Sequence, residues 1–585
     1  MKIKFTGTFE ELKDKLKSLT GEWNEDQHQK KVLRLNGGIL NWFETTGRLF
    51  VQGRDPGKLQ LEQTIPHLLY PEEFSEPTPV EANTITPPIA NIEVVPNSVE
   101  HTYLNGEFTE TEIFIGIVSA VGTESRQVLD TLSDRLRGFG YTTKEIRLSS
   151  ILPQPEEGIG EYQRIKHFME AGDKLRKDSA DNSILAAGAS EQVKELRDNT
   201  VTKTAYIINS LKHPYEVELL RKVYGSGFYL LGIHADEKRR HDHLVKDKSI
   251  SQTDANELIR IDEDENVSHG QRTRDTFHMS DLYVNLGDST TKVKNTLQRF
   301  LELLFSHPYK NPTFDEFAMF MAFNSSVRSS DLSRQVGAVI ARSQQIIATG
   351  ANDCPKHGGG QYWAEVDPDS GEVKDSQDGK DHTREEDSNK AAQTEMIDEI
   401  VTSILKDTSE TDESKVRDVL KNSKISDLTE FGRVVHAEME AILSCAREGI
   451  NTRDTTLYCT TFPCHNCAKH IIDAGITRVV YVEPYPKSRA LDLHSESIEL
   501  KTSIDTPADA NHVTFEPFTG VGARRFLDLF SMNLGSGQKL KRKNKDGATL
   551  DWSKETSTIR TPLLPKSYLE VEDAAITAWR QATAS

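Results

Sequence analysis

The sequence predicts a multidomain α/β protein, and three observations carry that prediction. From residue 112 onward, short apolar runs suited to buried parallel strands alternate with segments of helical period. The first 62 residues follow another pattern, one amphipathic segment and then three apolar runs separated by turn signals. The length of 585 residues exceeds what one hydrophobic core holds, since domains run to about 100–200 residues.

Residues 1–62 read as a small α+β module. Phe9, Leu12, Leu16 and Leu19 recur three to four apart and predict a helix over 9–19. The runs 31–36, 38–44 and 47–52 predict an antiparallel sheet turning at Asn36-Gly37-Gly38 and Thr45-Thr46-Gly47. The stretch Ile39 to Gly53 resembles the sheet of the TATA-binding-protein-like module at the N-terminus of type III ribonucleases H, which implies docking of nucleic acid or of a partner. Residues 63–110 read as a linker, because seven of the chain's 22 prolines fall between Pro66 and Pro96 among polar residues.

Residues 111–310 read as a three-layer α/β domain. Ile113 to Val118 is an apolar run suited to a buried strand, a glycine-containing turn follows, and 124–138 has helical period. Further strands are predicted at 143–148, 205–211 and 228–235. A third unit, 311–530, opens with an apolar helix at 314–323 and is interrupted by a polar insertion at 361–424. Residues 361–400 hold 13 acids against four bases, a local net charge of −9, which predicts a solvated surface segment. Residues 531–585 form a C-terminal extension whose run Lys539 to Lys545 is either a solvated turn or a phosphate contact.

With 71 basic and 91 acidic residues the net charge is −20, which disfavours a protein that coats nucleic acid or an anionic membrane through its overall field. The start carries no leader pattern and no run approaches the roughly 18 apolar residues of a spanning helix, so the expectation is a cytoplasmic protein without a membrane. The five cysteines (Cys354, Cys445, Cys459, Cys464 and Cys467) are odd in number and cluster in the C-terminal half, which predicts reduced thiols rather than a disulfide framework.

Two segments carry the chemistry. His436-Ala437-Glu438 and Pro463-Cys464-His465-Asn466-Cys467 match H-x-E followed by P-C-x-x-C, the pattern of zinc-dependent deaminases. Pro463 suits the first turn of a helix, so Cys464 and Cys467 are expected on one face of that turn, where free N–H groups and the helix dipole favour thiolates. Ala437, Ala441, Ile442 and Cys445 predict that the helix of His436 is buried beside it. Two thiolates and one imidazole leave the fourth position of a tetrahedral Zn²⁺ open for water, as a catalytic site requires. Glu438 cannot share the ligand direction of His436 and is placed to shuttle protons. A redox pair would leave His436 and Glu438 without a role. A structural zinc site would need a fourth ligand from Cys445, Cys459 or His470; Cys445 and Cys459 read as core thiols, and His465 and His470 as ordinary helix residues.

The surroundings resemble the deoxycytidylate branch of the cytidine deaminase superfamily. Ser329 to Ile340 and Ile347 to Asp353 resemble that branch's first strand pair, and Tyr481 to Ser488 its proline-tyrosine-proline-lysine-serine segment. The resemblance implies that Asn352 contacts the sugar and that Lys487 and Arg334 reach phosphate. The order of a P-loop-kinase-like domain, a cytidine-deaminase-like α/β/α domain and an extension resembles the anti-phage deoxycytidine triphosphate deaminases of bacteria, Phe515 to Phe526 being a further motif. That resemblance implies conversion of dCTP, and of dCMP, to the uracil nucleotides with one Zn²⁺ per chain, emptying the dCTP pool during infection. It also implies a homo-oligomer and restraint by a small regulatory RNA.

Gly116, Ser119, Gly122 and Thr123 form the P-loop-like segment. Five residues separate the glycines where the Walker pattern has four, and Thr123 stands where a lysine should follow, so a kinase is not expected. Backbone N–H groups over 119–123 could hold a phosphate of an effector nucleotide, with Gly270 to Thr276 supplying arginines. The competing function is a polynucleotide deaminase acting on RNA or single-stranded DNA, and a third is an RNA-regulated scaffold; the intact H-x-E and P-C-x-x-C residues weigh against the scaffold.

Overall fold

The computed structural model describes residues 3–19, 21–25, 30–35, 38–43, 46–53, 58, 61, 64–65, 68–70, 111–197, 203–263, 269–407, 412–428, 430–484, 488–501, 511–535, 540–544, 547–563 and 576. The chain divides into two compact units, Met1–Val95 and Pro96–Ser585. No described helix is long and apolar enough to cross a membrane.

In the first unit five strands, β1 (Ile3–Lys4), β2 (Glu22–Glu25), β3 (Lys30–Leu35), β4 (Gly38–Phe43) and β5 (Arg48–Gly53), form an antiparallel sheet in the order β1-β5-β4-β3-β2. The helix Phe9–Lys15 starts at a capping box between Thr8 and Glu11 and is one turn shorter than its periodicity predicts; Leu16 and Leu19 are still buried. Trp42 is fully buried and its indole N–H donates to the Phe5 carbonyl at 3.1 Å. Leu61, Ile65 and Leu69, four apart, join this core, so the module extends past the expected linker start at residue 63. The rest of the proline-rich stretch, 71–110, lies outside the described residues.

The second unit holds two large sheets. The first runs β19-β10-β9-β6-β8-β7, from β6 (Ile113–Ser119), β7 (Thr142–Arg147), β8 (Thr204–Leu211), β9 (Phe228–His234), β10 (Leu282–Asn285) and β19 (Gly520–Val521). β6 to β10 are mutually parallel. Alternate residues of β6 face opposite layers: Ile113, Ile115 and Ile117 pack with helices Arg126–Arg137 and Thr290–Leu304, and Phe114 and Val118 with Ile184–Leu196 and Pro214–Tyr224. This is the three-layer arrangement read from the apolar runs.

The second sheet runs β12-β11-β15-β16-β18-β17, from β11 (Gly337–Arg342), β12 (Gln345–Ala351), β15 (Thr456–Thr461), β16 (Arg478–Glu483), β17 (Ile498–Leu500) and β18 (Val513–Pro517). β11 is antiparallel to β12 and β15, and the other pairs are parallel. The helices Ala437–Arg447 and His465–Asp473 cover one face, and Phe314–Ser326 the other. The insertion contributes the hairpin β13 (Glu365–Val366) and β14 (Val373–Lys374) and the helices Ser388–Asp407 and Glu413–Lys421.

The two sheets are not separate bodies divided near residue 310. β19, from the far end of the expected deaminase unit, pairs antiparallel with β10 of the first sheet. Helix Phe314–Ser326 packs into the core cluster that also holds Phe114 and Phe228. The extension returns as well, Arg560 N–H donating to the Leu304 carbonyl at 2.7 Å.

Glu316 ties this junction. It is 1% exposed, pairs with Arg299 at 2.6 Å, accepts the Thr313 N–H at 2.7 Å and accepts the Val521 N–H of β19 at 2.9 Å. Removing it leaves the Arg299 guanidinium with the Asn311 carbonyl but no carboxylate, and the buried Val521 N–H without its acceptor. Glu316→Ala is therefore expected to lower the unfolding free energy by roughly 3 kcal/mol, measured by denaturant titration.

Candidate active site

The site is assembled at the N-termini of two helices on the same face of the second sheet. His436 is the N-cap of helix Ala437–Arg447, and Cys464 the N-cap of helix His465–Asp473. The thiols are thus one step earlier than expected: Pro463 precedes the cap instead of occupying the first turn, and Cys467 is the third helical residue. The correction strengthens the chemistry, because the Cys467 N–H donates to the Cys464 sulfur at 3.4 Å. His436 Nδ1 lies 3.4 Å from both Cys464 Sγ and Cys467 Sγ. Tetrahedral bonds of about 2.3 Å to sulfur and about 2.05 Å to nitrogen would set those atoms about 3.6 Å apart, so the donor set fits Zn²⁺.

The protonation of the three groups follows from their contacts. The Cys464 thiol, hydrogen-bonded by Cys467 and beside His436, is held down at about 4, while the hydrogen bond to Cys464 and burial push the Cys467 thiol up. The hydrogen bond to Cys464 raises the His436 imidazole to about 9. Glu438 is the second residue of its helix and is buried, which pushes its carboxyl up. It is not a fourth member of the ligand cluster. Cys459, read as a core thiol, is fully buried in β15 with burial and the Glu438 charge raising it.

A cavity of about 260 Å³ opens onto His436, Cys464 and Glu438, and Asn352 and Arg334 line it too. The Asn352 side chain bridges its own wall: Oδ1 accepts the Val336 N–H at 2.7 Å and Nδ2 donates to the Arg334 carbonyl at 2.8 Å. Arg334 donates to Glu483 at 2.5 Å. Lys487 lies outside the described residues, although the neighbouring Ser488 donates to the Pro463 carbonyl at 2.8 Å and ties that segment to the thiol loop.

Motif reading missed several lining residues. Asp331 lies inside the Ser329 to Ile340 segment and Thr461 two residues before Pro463, and that position in sequence was the available signal. Asp381, Asp387 and Asn389 come from the acidic insertion, which thereby walls the cavity in addition to facing solvent. His465, read as an ordinary helix residue, lines it as well.

The P-loop-like residues separate. Gly116 is in the middle of β6, where a Cβ would come within 2.6 Å of Leu211 and 2.7 Å of Phe228, so it is a strand-packing residue and not part of the loop. Ser119, Gly122 and Thr123 line a second cavity, of about 320 Å³, at the C-terminal ends of β6 and β8. Two N–H groups expected to hold phosphate already have acceptors, Val121 on the buried Asp262 carboxylate at 2.8 Å and Thr123 on the Ala120 carbonyl at 3.2 Å. Lys212 from the end of β8 reaches the same place, 2.7 Å from the Ser119 carbonyl and 2.9 Å from Asp262.

Residues 312–483 match the family model described as cytidine and deoxycytidylate deaminase zinc-binding region. The chain is similar to ComE operon protein 2 of Bacillus subtilis, 49% identical over 53 residues, which are 9% of this chain and 28% of that protein. It is similar to the deoxycytidylate deaminase of Saccharomyces cerevisiae, 24% identical over 292 residues, 48% of this chain and 76% of that one. The chain thus spans less than a third of the length of the first relative. Among solved structures, the apo dCMP deaminase of cyanophage S-TIM5 aligns at 18% identity with a TM-score of 0.19, over 36% of this chain and 100% of that one. The C-terminal part of the chain contains a dCMP deaminase-type zinc-binding domain, whose metal is one Zn²⁺.

Proposed function

We propose that the chain is a hydrolytic deaminase of deoxycytidine nucleotides, with His436, Cys464 and Cys467 holding the Zn²⁺. The observation that carries this reading is the convergence of those three donors beside a cavity that His436, Cys464 and the buried carboxylate of Glu438 line, within the matched region. A Zn²⁺ bound there lowers the pKa of a water toward neutrality. Glu438 takes one proton from the attacking water and gives it to the ring nitrogen, then takes the remaining proton from the hydroxyl formed at the ring carbon and gives it to the departing amine. The water oxygen becomes the carbonyl oxygen of the uracil product and ammonia leaves. Burial suits the carboxyl for both steps, because a raised pKa lets it hold the proton between them. The cavity, about 260 Å³, is of a size for a small ligand.

In this reading Arg334 meets substrate phosphate and Asn352 the sugar, which their position in the cavity lining supports. The finer reading takes dCTP and dCMP to dUTP and dUMP and gives the reaction a role in phage defence, supported by the resemblance of the whole domain order. The second cavity, at Ser119, Gly122, Thr123 and Lys212, is the place for an effector nucleotide. It receives the phosphate beside Lys212 instead of wholly on loop N–H groups.

Purified protein is expected to contain about one zinc per chain. Cys464→Ala and His436→Ala are expected to lose it, whereas Cys445→Ala, changed in the apolar core, keeps it; elemental analysis reads all three. Full zinc retention in Cys464→Ala would contradict the ligand assignment.

Incubated with dCMP, dCTP, deoxycytidine and single-stranded DNA, the protein is expected to release uracil nucleotides from the first two. Glu438→Gln should lower that rate by about 10²–10⁴-fold with zinc retained. Product from DNA alone would replace the nucleotide reading with the polynucleotide one.

A further inference from the structure

The inference concerns Glu483, the last residue of β16, which lies behind the wall of the catalytic cavity. It is 2% exposed. One carboxylate oxygen accepts from Arg334 at 2.5 Å, and the other accepts from the Thr461 hydroxyl at 3.3 Å. Two more basic groups approach from helix Thr273–His278, which belongs to the first sheet: Arg274 Nε at 3.7 Å and His278 Nδ1 at 3.6 Å. The Glu483 carbonyl accepts the Phe462 N–H at 2.7 Å, which fixes it to the strand end leading into Pro463 and Cys464. This one side chain therefore touches the strand of the thiols, the loop of the substrate cavity and the neighbouring sheet.

We infer that Glu483 is a positioning residue that sets Arg334 at the cavity, and that helix Thr273–His278 of the neighbouring sheet holds Glu483 in place. The inference rests on the proposed role of Arg334 toward substrate phosphate.

A buried carboxylate persists as an anion only where cations and donors surround it. Arg334 is 42% exposed, and with its long side chain it would sample many rotamers if nothing held it. Its backbone is fixed by Asp331, whose Oδ1 accepts the Arg334 N–H at 3.0 Å, and by Asn352 on its carbonyl at 2.8 Å. Glu483 restrains the remaining part, the guanidinium. A guanidinium presents several N–H donors in a planar fork, a geometry that suits it to carboxylate and phosphate alike. Held in advance, the fork loses little entropy when substrate arrives, and the benefit appears in substrate affinity. Arg274 keeps the Glu483 charge balanced from behind, beside the His278 imidazole, which burial holds down, so the cavity depends on a helix outside the zinc motif.

The test is a double-mutant cycle in steady-state kinetics on dCMP and dCTP, using wild type, Glu483→Gln, Arg334→Ala and the double variant, with zinc content measured in each. Glu483→Gln is expected to raise KM by roughly tenfold with kcat little changed. In the Arg334→Ala background the same change is expected to add nothing. Arg274→Gln, further from the zinc site, is expected to raise KM in the same direction by less, and it serves if Glu483→Gln does not fold. Equal effects of Glu483→Gln with and without Arg334 would overturn the inference, as would an unchanged KM in both Glu483→Gln and Arg274→Gln. Absence of uracil product from the zinc-loaded wild type would instead remove the nucleotide deaminase reading itself.

Discussion

The site depends on how closely helix Ala437–Arg447 approaches β12. At Gly350 a Cβ would stand 2.1 Å from the Ala437 carbonyl oxygen and 2.6 Å from the Ala441 nitrogen, so the strand and the helix meet there backbone to backbone. Ala437 and Ala441 supply the matching small residues on the helix. That contact carries His436, at the start of the helix, to within 3.4 Å of both thiol sulfurs. It also turns Glu438 inward. A side chain at residue 350 would push the helix out by an amount comparable with the tolerance of a metal–ligand bond, and the three donors would no longer converge. Because Cys464 is the cap of the other helix, the site is two helix starts facing each other, with the N–H of Cys467 supporting the sulfur charge.

The same economy of space links the two sheets of the second unit. Helix Phe314–Ser326 lies so close to β11 that a Cβ at Gly337 would fall 1.9 Å from the Ala322 carbonyl oxygen. Its outer residues share a core with Phe114 and Phe228 of the first sheet. β19 then closes the edge of that first sheet at β10, and Arg525 just beyond it donates to the Phe228 carbonyl at 2.7 Å. Chain from before and after the second sheet is therefore built into its neighbour, and this shared core and strand pairing is the condition under which helix Thr273–His278 can serve a cavity on the other sheet.

What was legible in the sequence was local. The pattern H-x-E with P-C-x-x-C names donors whose geometry is set within a few residues by helix starts, and the apolar runs of β6, β8 and β9 fall within a residue or two of their predicted limits. Features set by contacts between distant segments were not legible. Gly116 and Gly122 look like one glycine pair on paper, yet the first is fixed by Leu211 and Phe228 across the sheet and the second has φ +80° in the turn. Gly520 and Val521 are too short a run to read as a strand, and they become one only because β10 offers a free edge. Leu61, Ile65 and Leu69 carry a four-residue period, but prolines on either side masked it as linker. Glu483 lies inside the Tyr481 to Ser488 segment, but nothing about a glutamate at a strand end tells that Arg274 and His278 lie behind it.

Net charge is the clearest case of a whole-chain number that local pairing overrides. The chain carries −20, and −9 of it falls in residues 361–400, part of which walls the catalytic cavity. On that count an anionic substrate should be repelled. The carboxylates at the cavity are already engaged, however. Asp381 pairs with Arg433 at 2.9 Å, Asp387 accepts the Lys390 N–H at 3.0 Å at the start of helix Ser388–Asp407, and Asp331 accepts the N–H groups of Ser333 and Arg334. A carboxylate facing a helix N-terminus or a guanidinium contributes far less field than its formal charge. In the proposed reading an incoming phosphate meets carboxylates whose charge is locally offset and the Arg334 guanidinium paired with buried Glu483. The acidity of the insertion then shapes the wall without deciding the sign of the site.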